Sequence, residues 1–275
     1  MVHKASFEKE ADYSDLLHAL TVSPAERVQL LRPFFEPTEE EQEQRLKQPT
    51  EAHRAIADLV AKGYVRVLVT PNFDRLLETS LAQAGVQPTV ITSADDVKGA
   101  LPLTHSPCTV VKVHGDYLDA RLRNTRNELE KYDEALDKLL DEILDNYGLV
   151  VCGWSGDWDT ALRNAITRAP NRRFGMYWAA RGGLSENAKT LVARRGATVM
   201  KIEGADHFFK GLRDSVEALD QFSQQDPRSP AVAVARVKRY LSNDQYRIAL
   251  HDFIFDQTEQ VYEALNGATF TPSTR

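Results

Sequence analysis

Three short stretches carry side chains that can do chemistry, and each follows an apolar run. Val65–Val69 ends in Thr70-Pro71-Asn72-Phe73-Asp74, the run TVVKV ends in His114-Gly115-Asp116, and LVVC ends in Gly153-Trp154-Ser155-Gly156-Asp157-Trp158-Asp159. Between them they offer an amide, an imidazole, hydroxyls and carboxylates. Gly153 and Gly156 let backbone come close to a ligand and turn N–H groups toward an anion. Taken singly, each has a plainer reading: Asn72 or Asp74 caps the next helix, His114 is a structural histidine, and Gly-Trp-Ser-Gly is a strand–helix turn. His105, beside Ser106-Pro107, is given no role. Serine hydrolysis is disfavoured, because a nucleophile elbow needs Gly-x-Ser-x-Gly and here the second glycine comes one place early.

The elements that must position these groups are legible. Apolar, β-branched runs lie at 64–70, 88–92, 109–113, 149–152, 173–179 and 197–202. Helical patterns fill 74–84, 126–146, 158–168, 186–194 and 208–222. Nearly continuous apolar strands alternating with helices predict a parallel sheet covered on both faces. Such a sheet binds ligands beyond the carboxyl ends of its strands, where all three stretches fall; each following helix adds a positive N-terminal end. Upstream, Ser23-Pro24-Ala25-Glu26 is a capping box with proline at the first helical position. Thr38-Glu39-Glu40-Glu41 repeats the signal for a polar helix over 38–47, and Thr50 opens a third helix with an Ala55, Ile56, Leu59, Val60 stripe, closed by Gly63.

The fold class expected is therefore α/β: a three-layer, Rossmann-like, mostly parallel sheet with a helical N-terminal segment and a C-terminal helical appendage. The α/β domain is assigned to 1–222, with 1–62 as helical lead-in. SQQDPRSP marks a linker at 223–230, and the helical appendage occupies 231–275.

Composition narrows the function. The chain has 275 residues, 42% of them hydrophobic, and a net charge of −6, so duplex nucleic acid is not demanded as a partner. Basic clusters such as Arg121-Leu122-Arg123 and Asn171-Arg172-Arg173 are small enough to be solvated surface. Two cysteines, Cys108 and Cys152, cannot make a four-cysteine zinc site, and a disulfide framework is disfavoured. The charged start MVHKASFEKEAD has no apolar core of a signal peptide, and no apolar run approaches a membrane span. A cytoplasmic protein with no membrane partner is expected.

In order and placement the three stretches resemble the sirtuin-like superfamily, especially its zinc-free bacterial members associated with phage defence. Thr70-x-Asn72-x-Asp74 is similar to that family's Thr-x-Asn-x-Asp motif, Lys112-Val113-His114-Gly115 to the strand entering its catalytic His-Gly, and Gly153-Trp154-Ser155 to its Gly-x-Ser loop. The resemblance runs from about residue 50 to 222. It implies that NAD is a substrate and that Asn72 holds the nicotinamide ribose and a water. It further implies that Asp74 engages the carboxamide and that His114 is a general base or orients the ribose. Gly153 and Ser155 would line the ribose–phosphate path, with Thr70, Gly115 and Asp116 completing the cofactor-binding set.

Two departures shape the expectation. Deacylating sirtuins carry a four-cysteine zinc module after the histidine, whereas here that interval holds ELEKYDEALDKLLDEILDNYG, so no zinc is expected and deacylation is the less favoured activity. The family also opens with a glycine-rich strand–turn–helix, yet the first glycine of this sequence is Gly63. Either the first βα unit is missing or its phosphate cradle has been lost, which leaves open a homo-oligomer or a longer-protein context. The expected function is NAD hydrolysis to nicotinamide and ADP-ribose, as an anti-phage effector. The alternative is a non-catalytic module that binds NAD or ADP-ribose, or only scaffolds.

Overall fold

The structure, a computed structural model, describes residues 23–44, 46–119, 130–225, 230–241 and 246–267. The Arg121–Arg123 cluster, the first turn expected of the 126–146 helix and most of the C-terminal GATFTPSTR lie outside the described residues. The chain divides into two compact units, Met1–Asp214 and Ser215–Arg275.

In the first unit the lead-in, from residue 23 on, carries three helices among its described residues. Helix α1 (Pro24–Phe35) starts at the Ser23 capping box, with Glu26 N–H donating to Ser23 Oγ and the Glu26 carboxylate accepting from Ser23 N–H. Helix α2 (Glu39–Glu43) is shorter than its sequence signal and is capped by Thr38. Helix α3 (Glu51–Ala61) buries Ala52, Ala55, Ala57, Leu59 and Val60, and Gly63 follows it at φ +79°, where a side chain would be strained.

Strands and helices then alternate: β1 (Val67–Thr70), α4 (Leu76–Gln83), β2 (Thr89–Ile91), α5 (Ala94–Gly99), β3 (Thr109–Lys112), α6 (Glu134–Asn146), β4 (Leu149–Cys152), α7 (Thr160–Arg168), β5 (Met176–Ala180), α8 (Glu186–Arg195), β6 (Thr198–Lys201) and α9 (Ala205–Gln225). Helix α5 was not among the expected elements; Ser93 Oγ accepts from Asp96 N–H and opens it. All four strand pairings are parallel. The strands form two three-stranded sheets, ordered β1-β3-β2 and β4-β5-β6, rather than one continuous ladder. β1 and β4 are each an edge of their sheet.

One face of both sheets shares a single apolar core. Val111 and Val113 from the first sheet and Val151, Met176 and Trp178 from the second meet Leu136, Leu140 and Ile143 of α6, Leu162 and Ile166 of α7, and Leu191 of α8. On the other face of the first sheet, Val110 and Cys108 pack with Ala57 and Val60 of α3 and Leu81 of α4. The alternation along β3 therefore fixes which residues lie over α6 and which under α3. Because β1 and β3 are parallel neighbours, the loops after them open on one edge of the first sheet.

Cys108 is fully buried in this second core, and burial pushes its thiol up to about 11; the Cys152 thiol is also raised by burial. A thiol far above the working pH stays protonated and is a poor nucleophile. At pH 8 the native protein is therefore expected to leave Cys108 unalkylated by iodoacetamide over hours, with complete labelling in denaturant. Mass spectrometry of tryptic peptides checks this, and rapid native labelling would contradict the packing.

The described residues of the second unit are helical. Beyond the end of α9, helices α10 (Pro230–Leu241) and α11 (Arg247–Gly267) pack through Tyr240 against Phe253, with the Arg236 guanidinium 5.3 Å from the Phe253 ring centroid. Helix α9 runs through Gln225 into the stretch expected as linker, whose residues 226–229 lie outside the described residues.

Candidate active site

The loop after β1 is a tight elbow held by its own side chains. Thr70 is buried, and its hydroxyl accepts from Asn72 N–H at 3.1 Å. Asp74 Oδ1 accepts from Leu76 N–H at 3.0 Å, so the carboxylate closes a tight turn just ahead of α4. Asn72 sits between them with its side-chain amide exposed and, among the described residues, without a hydrogen-bond partner. On the far side of the elbow, burial holds the His53 imidazole of α3 below its ordinary value, against the smaller opposing influence of Asp74.

After β3 the chain turns through Gly115 at φ +92°. His114 Nε2 lies 2.6 Å from Asp159 Oδ2, with the imidazole side chain 11% exposed and the carboxylate 2%. Tyr132 Oη donates to the same Asp159 oxygen, while Asp159 Oδ1 accepts from Leu162 N–H at 2.8 Å and caps α7. One buried carboxylate thus ends a helix and fixes the histidine at once. Phe73 of the elbow lies against the imidazole, ring centroids 6.1 Å apart, and in turn meets Phe35 of α1 and, through it, Tyr117.

Beneath these loops lies a buried ionic cluster. Lys112, the last residue of β3, has a side chain 0% exposed. Its ammonium donates to Asp116 Oδ2 at 2.9 Å and to the backbone carbonyls of Phe73 and Asp74, and Glu78 Oε1 is 3.1 Å away, out of line for a hydrogen bond. Arg75 Nε also donates to Asp116 Oδ2 at 2.9 Å, and Leu118 N–H donates to Asp116 Oδ1. A buried ammonium is tolerated because every charge it meets is opposite and its protons have acceptors. The consequence is a cross-tie between the elbow that presents Asn72 and the turn that presents His114.

The loop after β4 carries Gly153 at φ +76° and Gly156 at φ +78°, both left-handed conformations that favour glycine. Gly153 and Ser155 are exposed; Ser155 Oγ accepts from Asp157 N–H at 3.2 Å. The Arg163 guanidinium donates to the carbonyls of Gly156 and Asp157, locking the loop onto α7.

The residues singled out in the sequence therefore fall on three loops at one edge of the two sheets, and the contact between His114 and Asp159 joins the second loop to the third. Thr70 and Asp116 face inward and are spent on holding the loops, whereas Asn72, Gly153 and Ser155 face solvent. Sequence reading passed over Asp159, Tyr132 and the bridging part of Lys112. Asp159 lies in a quoted stretch, but as a helix cap it has an ordinary local explanation. Tyr132, in a polar run before α6, carries no signal of its own.

Chemically, the arrangement offers an imidazole braced by a buried carboxylate beside a free amide and a glycine loop. An imidazole so held keeps one tautomer and orientation, the arrangement a general base needs. Among the described residues no cluster of histidine, cysteine and acidic side chains could hold a metal ion. No described helix is long and apolar enough to cross a membrane. No curated protein is a match for the chain. Residues 66–200, from just before β1 into β6, match the family model of the SIR2-like domain, and this stretch of the chain is similar to it.

Proposed function

We propose that this protein hydrolyses NAD to nicotinamide and ADP-ribose. The observation that carries the reading is the Tyr132–Asp159–His114 chain ending at the imidazole, with the unpartnered amide of Asn72 on a loop tied to the same turn through Lys112. In this reading the bond from the ribose anomeric carbon to the nicotinamide nitrogen breaks, and its electron pair neutralises the pyridinium charge. Positive charge develops on the ribose, and a water held by Asn72 forms the new bond to the anomeric carbon. His114 takes the proton of that water, directly or through a ribose hydroxyl, and Asp159 stabilises the imidazolium. Holding the water in line supplies much of the rate by removing its freedom. Gly153 and Ser155 line the ribose and phosphates with backbone N–H groups and a hydroxyl. A role in anti-phage defence, as the effector of such a system, belongs to the same proposal.

Chromatography of NAD incubated with the parent protein, His114→Ala and Asn72→Ala tests it. The parent is expected to yield nicotinamide and ADP-ribose in equal amounts, and each substitution to lower the rate by about 100-fold or more. Turnover that survives both substitutions would remove the site assignment.

A non-catalytic binder is the second reading, favoured by one observation: residues 1–62 contain no glycine with which to cradle a diphosphate. It predicts a raised melting midpoint with NAD or ADP-ribose and no release of nicotinamide.

A further inference from the structure

Of the three tryptophans in the sequence, two are put away: Trp154 stacks on Trp178 with centroids 5.8 Å apart and planes at 28°. The third, Trp158, is 71% exposed. Tryptophan is highly buried on average, so an indole left this far in water calls for a reason. Looseness of the loop is not the reason. On one side of Trp158, Arg163 grips the carbonyls of Gly156 and Asp157, and Asn187 Nδ2 donates to Asp157 Oδ1 at 3.0 Å. Two residues further back, Ser155 O accepts from Ser185 Oγ at 3.0 Å. On the other side, Asp159 is fixed by Leu162 N–H, Tyr132 and His114. The chain is thus pinned immediately before and after an indole that it holds out to solvent. Among the described residues that indole joins no aromatic pair.

Its neighbour decides what it meets. Trp158 is one residue from the carboxylate that touches the imidazole, on the loop that the proposed reading gives to the ribose and phosphates. We propose that the Trp158 indole is a stacking platform for a flat heteroaromatic ring of the nucleotide bound at this site. The inference rests on the nucleotide reading given above. Stacking suits the geometry because a pre-positioned aromatic face loses little freedom when a ring settles on it. Two rings of NAD have the required chemistry, the adenine and the nicotinamide, and they can be told apart by compounds that carry only one.

Indole fluorescence of the full chain is followed while ADP-ribose, or nicotinamide mononucleotide, is added to the parent, Trp158→Phe and Trp158→Ala. In the parent, the compound carrying the stacked ring is expected to quench the emission. Trp158→Phe loses that quenching yet keeps most of the affinity. Trp158→Ala weakens binding of the same compound by about 5- to 100-fold, the range of single base–aromatic stacks. In turnover, the alanine variant raises KM for NAD by a similar factor. If Trp158→Ala binds both compounds as the parent does, or alters only self-association, the platform does not exist. If the parent cleaves NAD and the alanine variant has an unchanged KM, the platform falls alone. If the parent binds neither compound, the nucleotide reading falls and takes the platform with it.

Discussion

Asparagine in place of Asp159 is expected to lower kcat for NAD hydrolysis by about 10²- to 10⁴-fold, with little change in KM. The carboxylate accepts from Leu162 N–H through Oδ1 and meets Tyr132 and His114 through Oδ2. An asparagine side chain has nearly the same shape and can still accept the Leu162 N–H, so α7 keeps its cap. At the other end its NH₂ then faces the imidazole and reverses the tautomer. In the proposed reaction this removes the base and leaves the ribose contacts in place, hence the split between kcat and KM. The measurement is a steady-state rate series with circular dichroism as the fold control. An Asp159→Asn protein that folds like the parent and turns NAD over at the parental rate would show that the carboxylate serves α7 alone.

Lys112→Met is the second large effect, and its first readout is stability. Methionine fills a similar volume, but Asp116, 3% exposed, and Glu78, 17% exposed, lose their buried cation, and the carbonyls of Phe73 and Asp74 lose a donor. Arg75 remains on Asp116 from a half-exposed position, which keeps the cost toward the low end for a broken buried pair, about 3 kcal/mol. For a unit of this size that corresponds to a melting midpoint lower by roughly 6–12 °C. The net local charge left behind is negative. Adding Glu78→Gln to Lys112→Met is therefore expected to recover about 1 kcal/mol, a coupling that independent sites would not show. Calorimetry of the parent, both single variants and the double variant closes the cycle. A Lys112→Met midpoint within a degree or two of the parent would mean that the cross-tie between elbow and turn is not holding the site.

Much of this protein follows from local chemistry. Ser23 and Thr38 announce their helices because a hydroxyl that can satisfy a free N–H leaves a signature within four residues. Gly63 and the glycines of the β4 loop mark left-handed backbone for an equally local reason, the missing Cβ. The apolar runs at β1, β3 and β4 read as strands from their length and β-branched residues, although of the three only β3 is buried throughout and Val150 of β4 is exposed. In a parallel sheet such strand ends lie together. From that rule alone Asn72, His114 and Gly153 could be assigned to one edge. Strand bounds were less sharp: the expected 173–179 run begins its ladder only at Met176, since Arg173 and Phe174 are exposed before the sheet starts.

What tertiary structure decided is which side chains meet. His114 and Asp159 are 2.6 Å apart although far apart in sequence, and no periodicity or cap rule relates a residue after one strand to a residue after another. Asp159 looked complete as a helix cap, and only its second oxygen carries the news. Lys112 was legible as part of a motif, but that a lysine in an apolar strand is buried among Asp116, Glu78 and two carbonyls depends on how the elbow folds back over β3. The division of the strands into two sheets likewise lay beyond the pattern, because alternation fixes which face of a strand is apolar and says nothing of which edge finds a partner. By itself the sequence determined the elements, their parallel sense and the edge where the chemistry gathers, all of which rest on short-range sterics and burial. Partners across loops depend on the whole packing, and that is where His114 acquired its carboxylate.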